Sequence, residues 1–92
     1  YLSPEERERA LTIPQALNDA QRAEGTVGDK LDAARSVLSP DIEIAYLEAM
    51  TVDLSQRLNP DVVADSGRIL IAAKVGATRL LDNTDIHAGS SQ

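Results

Sequence analysis

The sequence predicts an α+β fold in which two N-terminal helices pack on a small antiparallel sheet of about three strands that ends in a β-hairpin. Apolar residues recur at helical spacing up to position 38, whereas two later segments show the two-residue alternation of strands. Helices come first and strands follow, an order typical of α+β domains. A chain of 92 residues is long enough for one such domain.

The first helix begins at a capping sequence. Ser3 is its N-cap, Pro4 fits the first helical position, and Glu6 completes a capping box with Ser3. Pro14 interrupts the hydrogen-bond ladder, so we expect one kinked helix rather than two, and we expect Gly25 to be its C-cap. The residues expected on its buried stripe are Ala10, Leu11, Ile13, Leu17, Ala20 and Ala23.

The second helix follows almost at once. Thr26 can serve as its N-cap, with Asp29 three residues later. Its buried face repeats at intervals of four, three and four residues, as expected for a helix. Pro40 stops the helix because proline cannot continue it and pushes Ser39 towards an extended conformation. The residues on the buried face are Val27, Leu31, Ala34 and Leu38.

Residues 41–50, which read DIEIAYLEAM, predict the first strand. Ile42, Ile44 and Tyr46 alternate with the residues between them, so one face of the strand should be better buried. Residues 51–66 carry a weaker pattern. They suggest a loop with a short helical turn over residues 54–58 that ends before Pro60.

Residues 69–81 predict a β-hairpin. Alternating aliphatic residues lead to Gly76 and Ala77, which form the turn, and residues 78–81 return as the partner strand. Asp82, Asn83 and Asp85 then suit turn or strand-end positions. We expect residues 87–92 to be a frayed tail, because HAGSSQ has no pattern.

The charge of the chain argues against several partners. A net charge of −6 does not suit nucleic acid or an anionic membrane surface, both of which need a basic face. The chain has no cysteine, which excludes disulfides and thiolate metal sites. A helix that spans a membrane needs about 20 consecutive apolar residues, and no apolar run in the sequence approaches this length. We therefore expect neither nucleic acid nor membrane as a partner, and a cytoplasmic location is permitted.

Three cations in or beside the hairpin are the candidate binding residues. Arg68, Lys74 and Arg79 could form a cluster on one sheet face that meets an anionic ligand. The same residue types on a solvent-facing strand also protect a sheet edge from unwanted pairing. We favour edge protection over an anion-binding cluster.

The other polar candidates have ordinary structural explanations. A calcium-loop pattern does not surround Asp82 and Asp85, although their spacing could bind a cation. His87 lacks a neighbouring nucleophile and carboxylate in the sequence. Glu5, Glu6 and Glu8 suit the first turns of a helix, where the dipole favours negative charge. We therefore assign no catalytic, cofactor-binding or metal-ligating residue to this chain.

Two stretches of the sequence carry a family resemblance. They are YLSPEERERAL at residues 1–11 and SGRILIAAKVGATRLLDN at residues 66–83. Together they resemble the C-terminal domain of the pantoate–β-alanine ligases, and IAYLEAM at residues 44–50 resembles a strand of the same domain. The resemblance runs from residue 1 to about residue 86, and residues 51–65 match only loosely.

The resemblance implies a role as one part of an ATP-dependent ligase. Family members carry a Rossmann-like N-terminal domain with a His-X-Gly-His motif, which binds ATP with magnesium, pantoate and β-alanine. Neither that motif nor the Ser-Ser-Arg-Asn nucleotide loop occurs here. Residues 1–86 would then be a lid-type domain that starts just after the ATP-binding loop, and the chain alone would be inactive.

The resemblance also implies partners. The lid would pack on its own N-terminal domain, the full-length enzyme would be a cytoplasmic homodimer, and the separated lid would self-associate through apolar side chains that its partner normally covers. The competing hypothesis from the residues alone is a stand-alone acidic α+β interaction module without a catalytic role.

Overall fold

A computed structural model describes residues 2–87 and confirms the α+β fold. The three strands form one antiparallel sheet in the order β1-β2-β3, so β2 is the central strand. Both helices contact the sheet, α1 mainly at β3 and α2 at β1. The elements are α1 (Pro4–Arg22), α2 (Val27–Val37), β1 (Glu43–Met50), β2 (Ser66–Val75) and β3 (Thr78–His87).

The predicted capping boxes are present at the starts of both helices. In α1 the backbone N–H of Glu6 donates to Ser3 Oγ at 3.1 Å, and the N–H of Ser3 donates to the Glu6 carboxylate at 3.0 Å. Thr26 and Asp29 make the same reciprocal pair in α2. Each box satisfies two backbone donors that a helix start leaves without a partner, which is why both helices begin where the sequence predicts.

The end of α1 differs from the prediction. The helix runs unbroken through Pro14, as expected for one helix, but it ends at Arg22 with Ala23 as its extended C-cap. Gly25 lies two residues further on, with a φ of +116°, in the link to α2. Gly25 is therefore not the C-cap, because the chain leaves helical geometry at Ala23. The lack of a side chain at Gly25 allows the backbone to pass close to the Asp29 carboxylate of the second capping box.

A capping variant tests how much the start of α1 contributes. Replacing Ser3 with alanine removes the acceptor for the Glu6 N–H, so we expect a loss of about 1 kcal/mol in the free energy of unfolding. Chemical denaturation followed by circular dichroism measures this change. Ser66→Ala is the control, because this serine is exposed at the start of β2 and caps no helix. Equal effects from both variants would contradict the capping role.

The hydrophobic core lies between the helices and one face of the sheet. The central strand contributes four side chains to this core, each at most 1% exposed: Ile69, Ile71, Ala73 and Val75. From α1 the buried residues are Ile13, Ala16, Leu17 and Ala20. The sequence pattern places Leu11 in this stripe, but Leu11 is 55% exposed. Ala16 lies on the buried face instead, because it follows Ile13 by three residues, whereas Leu11 projects about 200° around the helix from Ile13.

Strand β1 contains a bulge that changes its buried face. Ile44 pairs with Ala73 and Tyr46 pairs with Ala72, so Ala45 is an extra residue with no partner of its own. Beyond the bulge, Leu47 is buried whereas Tyr46 is 42% exposed. A simple alternation from Ile42 to Tyr46 therefore fails, because a single inserted residue moves the following side chains to the opposite faces.

The segment between β1 and β2 has no helical turn, contrary to the expectation for residues 54–58. Leu54 adopts a φ of +63°, which is incompatible with a right-handed helix. The Asp53 carboxylate accepts hydrogen bonds from Thr51 Oγ1 at 2.7 Å, and from Ser55 N and Oγ at 3.0 and 2.7 Å. These bonds lower the pKa of Asp53 to about 2. They close a tight turn that Arg57 ends by bridging to Met50.

The predicted hairpin is present but longer than expected. Gly76 and Ala77 join β2 to β3, and Gly76 has a φ of +60° that a side chain would disfavour. Strand β3 continues beyond residue 81 to His87, which pairs with Ser66. Asp82, Asn83 and Asp85 are therefore inside a strand rather than at its end. His87 belongs to β3 and not to a frayed tail, and residues 88–92 lie outside the described part of the chain.

Candidate anion-binding site

Two of the three predicted cations lie together at the hairpin end of the sheet. Lys74 is the last residue but one of β2 and is directly opposite Arg79 of β3. Both side chains are exposed, on the face of the sheet opposite to the core. Neither forms an ion pair with any residue between positions 2 and 87. We call these two residues the cation pair.

The cation pair lines a surface hollow of about 240 Å³. Strand β1 supplies the other wall through Glu43, which is the register partner of Lys74 on its other side. Ala45, the extra residue of the bulge, also lines the hollow. The residues that line it are Glu43, Ile44, Ala45, Ala73, Lys74 and Arg79. Sequence reasoning missed Glu43, because its proximity depends on how β1 pairs with β2.

The third predicted cation, Arg68, does not belong to this site. It lies six residues before Lys74 on the same strand, a separation of about 20 Å at the usual rise per residue. One guanidinium nitrogen of Arg68 donates to Asp85 Oδ1 at 2.7 Å, and the other donates to Asn83 Oδ1. Arg68 therefore does not form a cluster with Lys74 and Arg79: it is paired across the hairpin, where its charge is already balanced.

The alternative role of these cations, edge protection, applies to one of them at most. Arg68 and Lys74 are on β2, which has a neighbour on both sides and no free edge. Arg79 is on β3, an edge strand. The exposed position of Lys74 on the central strand therefore needs another explanation.

The acidic residues do not form a cation site. Asp82 and Asp85 are three residues apart on β3, so they lie on opposite faces of the sheet. Asp82 Oδ1 accepts a hydrogen bond from the N–H of Asn83 at 2.8 Å, and Asp85 pairs with Arg68. Across residues 2–87, no group of three or more His, Asp or Glu side chains is arranged to hold a metal ion.

A second hollow, of about 310 Å³, lies beside the first turns of α1. Its cation, Arg9, is 3.6 Å from Asp41, so the charge of the guanidinium has a partner. Thr12 Oγ1 accepts a hydrogen bond from the N–H of Ser39 and ties α1 to the end of α2. This hollow is therefore part of the helix packing. It is lined by Glu5, Glu8, Arg9, Thr12, Ser39 and Asp41.

The cation pair is at the end of the domain where α1 begins. Gly76, two residues beyond Lys74, packs so closely on the first turn of α1 that an added Cβ would overlap the carboxylate of Glu6. The start of α1 and the hairpin turn are therefore neighbours. The two cationic side chains beside the hollow can bind an anion, and the Glu43 carboxylate on the other wall limits where that anion can lie.

Comparison with known proteins gives a consistent result. A family model described as pantoate-beta-alanine ligase matches residues 1–85. A pantothenate synthetase from Nocardioides sp. is 40% identical over 98% of this chain, and one from Corynebacterium jeikeium is 43% identical over 98%. The chain spans 28% and 29% of the lengths of these two curated relatives.

The fold comparison agrees with the sequence comparison. A crystal structure of pantothenate synthetase from Thermus thermophilus superposes with a TM-score of 0.81 at 29% identity, covering 95% of this chain and 33% of the other. Among the described residues, no helix has the length and apolar character needed to cross a membrane.

Proposed function

The chain belongs to the pantoate–beta-alanine ligase family and corresponds to the C-terminal part of its relatives; on that premise we propose that it is the lid-type domain of an ATP-dependent ligase. The observation that carries this proposal is the match over residues 1–85, which leaves most of each relative's length outside the matched segment. The catalytic groups of the reaction would lie in that larger part, and this chain alone would be inactive.

The proposed reaction has two steps. The carboxylate of pantoate attacks the α-phosphorus of ATP, which forms pantoyl-adenylate and releases pyrophosphate. The amine of β-alanine then attacks the acyl carbon, forming the amide bond of pantothenate and releasing AMP. ATP and magnesium would be bound mainly by the N-terminal domain, as the family membership implies.

A lid contributes to such a reaction by closing the site. Excluding water strengthens the electrostatic stabilisation inside the site and protects the acyl-adenylate from hydrolysis. The fold suits this role, because the helices and the inner sheet face form a core of their own while the outer face carries the cation pair. The hairpin turn lies next to the start of α1. In the relatives, the start of α1 follows the segment that joins the C-terminal part to the larger N-terminal part. This arrangement supports a position of the cation pair near that joining segment.

The proposed partner is therefore the N-terminal domain of the same enzyme. Apolar side chains that such a partner could cover are exposed between β1 and β2: Val52 is 59% exposed and Val63 is 70% exposed. We further propose that the full-length enzyme is a cytoplasmic homodimer and that the separated lid self-associates through this surface.

A chimeric enzyme tests the proposed function. The chain replaces the corresponding C-terminal segment of the Nocardioides relative, to which it is 40% identical. We expect the chimera to make pantothenate and AMP from ATP, pantoate and β-alanine at a rate within about tenfold of that of the intact relative. An enzyme that lacks a working lid should lose more than tenfold in rate, because its site no longer excludes water or orients the substrates. Coupled detection of AMP and chromatography of pantothenate measure the two products.

Two controls make the chimera decisive. The relative truncated before this segment should lose most of its activity, and the 92-residue chain alone should form neither product. A folded chimera as inactive as the truncated relative would contradict the lid role. Product formation by the chain alone would contradict its dependence on the larger domain.

A further inference from the structure

We propose that the cation pair, Lys74 and Arg79, is an anion site that takes the phosphoryl groups of a nucleotide or of pyrophosphate when the lid closes. This inference rests on the proposed function for the identity of the anion. The site itself follows from the geometry of the hairpin end.

The first argument is the cost of placing these two residues together. Lys74 and Arg79 are register partners on adjacent antiparallel strands, so their Cβ atoms are about 4.5–5.5 Å apart, and like charges in this position destabilise a sheet. The chain as a whole carries a net charge of −6 and has fifteen carboxylates that could pair with cations. An anion bound between the two side chains would remove the repulsion.

The second argument is the contrast with the other cations of the sheet face. Arg68, at the far end of β2, is held by Asp85 and Asn83. Arg57, near the same end, is 2.9 Å from a carboxylate oxygen of Glu48. Lys74 and Arg79 make no ion pair with residues 2–87, although Glu43 lies beside Lys74 in the register. Their donors therefore remain available to a ligand.

The third argument concerns the class of anion. An arginine fork alone satisfies a carboxylate in two parallel hydrogen bonds, whereas a phosphoryl group has additional oxygens that a lysine can contact as a point charge. The hollow of about 240 Å³ beside the pair has room for more than a carboxylate. In the proposed reaction, ATP and pyrophosphate carry such groups.

Direct titration of the 92-residue chain tests the site without any enzymatic activity. Backbone amide NMR spectra are recorded with inorganic pyrophosphate, with inorganic phosphate and with acetate at low ionic strength, because screening weakens exposed charge interactions. We expect saturable shifts that centre on Glu43, Lys74 and Arg79, strongest with pyrophosphate. The Lys74→Gln/Arg79→Gln variant should bind pyrophosphate about tenfold more weakly, a loss typical of two exposed charge contacts.

A charge-matched control separates a site from a general effect of net charge. Arg22→Gln/Arg57→Gln removes the same two positive charges at the opposite end of the domain, at the last residue of α1 and beside the end of β1. It should leave the pyrophosphate affinity within about twofold of the unmodified chain, because exposed charges at the opposite end of the domain interact only weakly through water at that distance. Thermal melting of each variant confirms that it is folded, and removing the like-charge pair should not lower the melting temperature.

Each other outcome would overturn the proposal. Shifts spread over the whole surface, equal losses in the two double variants, or unchanged binding in Lys74→Gln/Arg79→Gln would mean that the cation pair is not a site. Acetate binding as tight as pyrophosphate binding would reject the phosphoryl assignment. None of these results depends on ligase activity, so a failure here is distinguishable from an inactive chimera.

Discussion

An Ile69→Ala variant is expected to lose about 2–5 kcal/mol of its free energy of unfolding. Ile69 is 0% exposed on the central strand, opposite Ala49 of β1 and Thr84 of β3. Its truncation leaves a cavity under both helices that neighbouring side chains cannot fill, because all three strands are held in register. A domain of this length has a total stability of about 5 kcal/mol or somewhat more, so a loss at the upper end of this range would leave much of the variant unfolded.

Urea denaturation followed by circular dichroism measures this loss, and two matched variants calibrate it. Ile69→Val keeps most of the side chain and should cost about 0.5–1.5 kcal/mol. Leu81→Ala removes a similar volume from a residue that is 70% exposed on the outer face, so its effect should stay within about 0.5 kcal/mol. A loss at Leu81 as large as that at Ile69 would contradict the assignment of the core to the inner face.

The second large effect is expected at Lys30, a buried cation that joins the two helices. Its Nζ donates to the backbone carbonyl oxygens of Ala23 at 2.7 Å, Gln21 at 3.1 Å and Ala20 at 3.5 Å. These carbonyls belong to the end of α1, where helical partners are missing. Lys30→Met keeps the length of the side chain but removes its donors, so the free energy of unfolding should fall by about 1–3 kcal/mol.

The contribution of Lys30 should also depend on pH. Burial lowers its pKa below 10.5, and the charge of Glu24 partly opposes this shift. Between the folded pKa and 10.5 the unfolded chain binds more protons at this residue than the folded chain does. The free energy of unfolding of the wild type should therefore rise with pH in that window relative to Lys30→Met.

Denaturation of both proteins at a series of alkaline pH values measures this difference. Arg35→Met is the control, since Arg35 is an exposed cation of the same helix. Its effect should be small and independent of pH. A gap between wild type and Lys30→Met that narrows as the pH rises would show that the folded pKa is raised instead.

Local signals in the sequence were sufficient for the regular elements. The Ser3–Glu6 and Thr26–Asp29 capping boxes act over three residues, so their effect on helix starts does not need the rest of the fold. Gly76 set the position of the hairpin turn for a similar reason, since a positive φ is needed there. The family resemblance, confirmed over residues 1–85, likewise rests on short contiguous stretches.

The errors in β1 and β3 occurred where pairing between distant segments decides the structure, whereas the turn after β1 was missed for a local reason. The turn at residues 51–56 is closed by the Asp53 carboxylate, whose bonds compete with a helix. The bulge at Ala45 depends on the pairing of β1 with β2. Strand β3 is longer than its sequence pattern predicted, because every residue from Thr78 to His87 pairs with a residue of β2.

The sequence by itself determined the fold class, the starts of both helices, the hairpin turn and the family, because each depends on residues close together in the chain. Only the tertiary structure decided which carboxylates lie beside these cations. The two-residue turn already places Lys74 opposite Arg79, whereas the pairing of β1 brings Glu43 to Lys74 and the unexpected length of β3 brings Asp85 to Arg68. The register between β1 and β2 is set by the burial of a whole strand face. For this reason, the residues that line the candidate site could be identified only from the three-dimensional arrangement of the sheet.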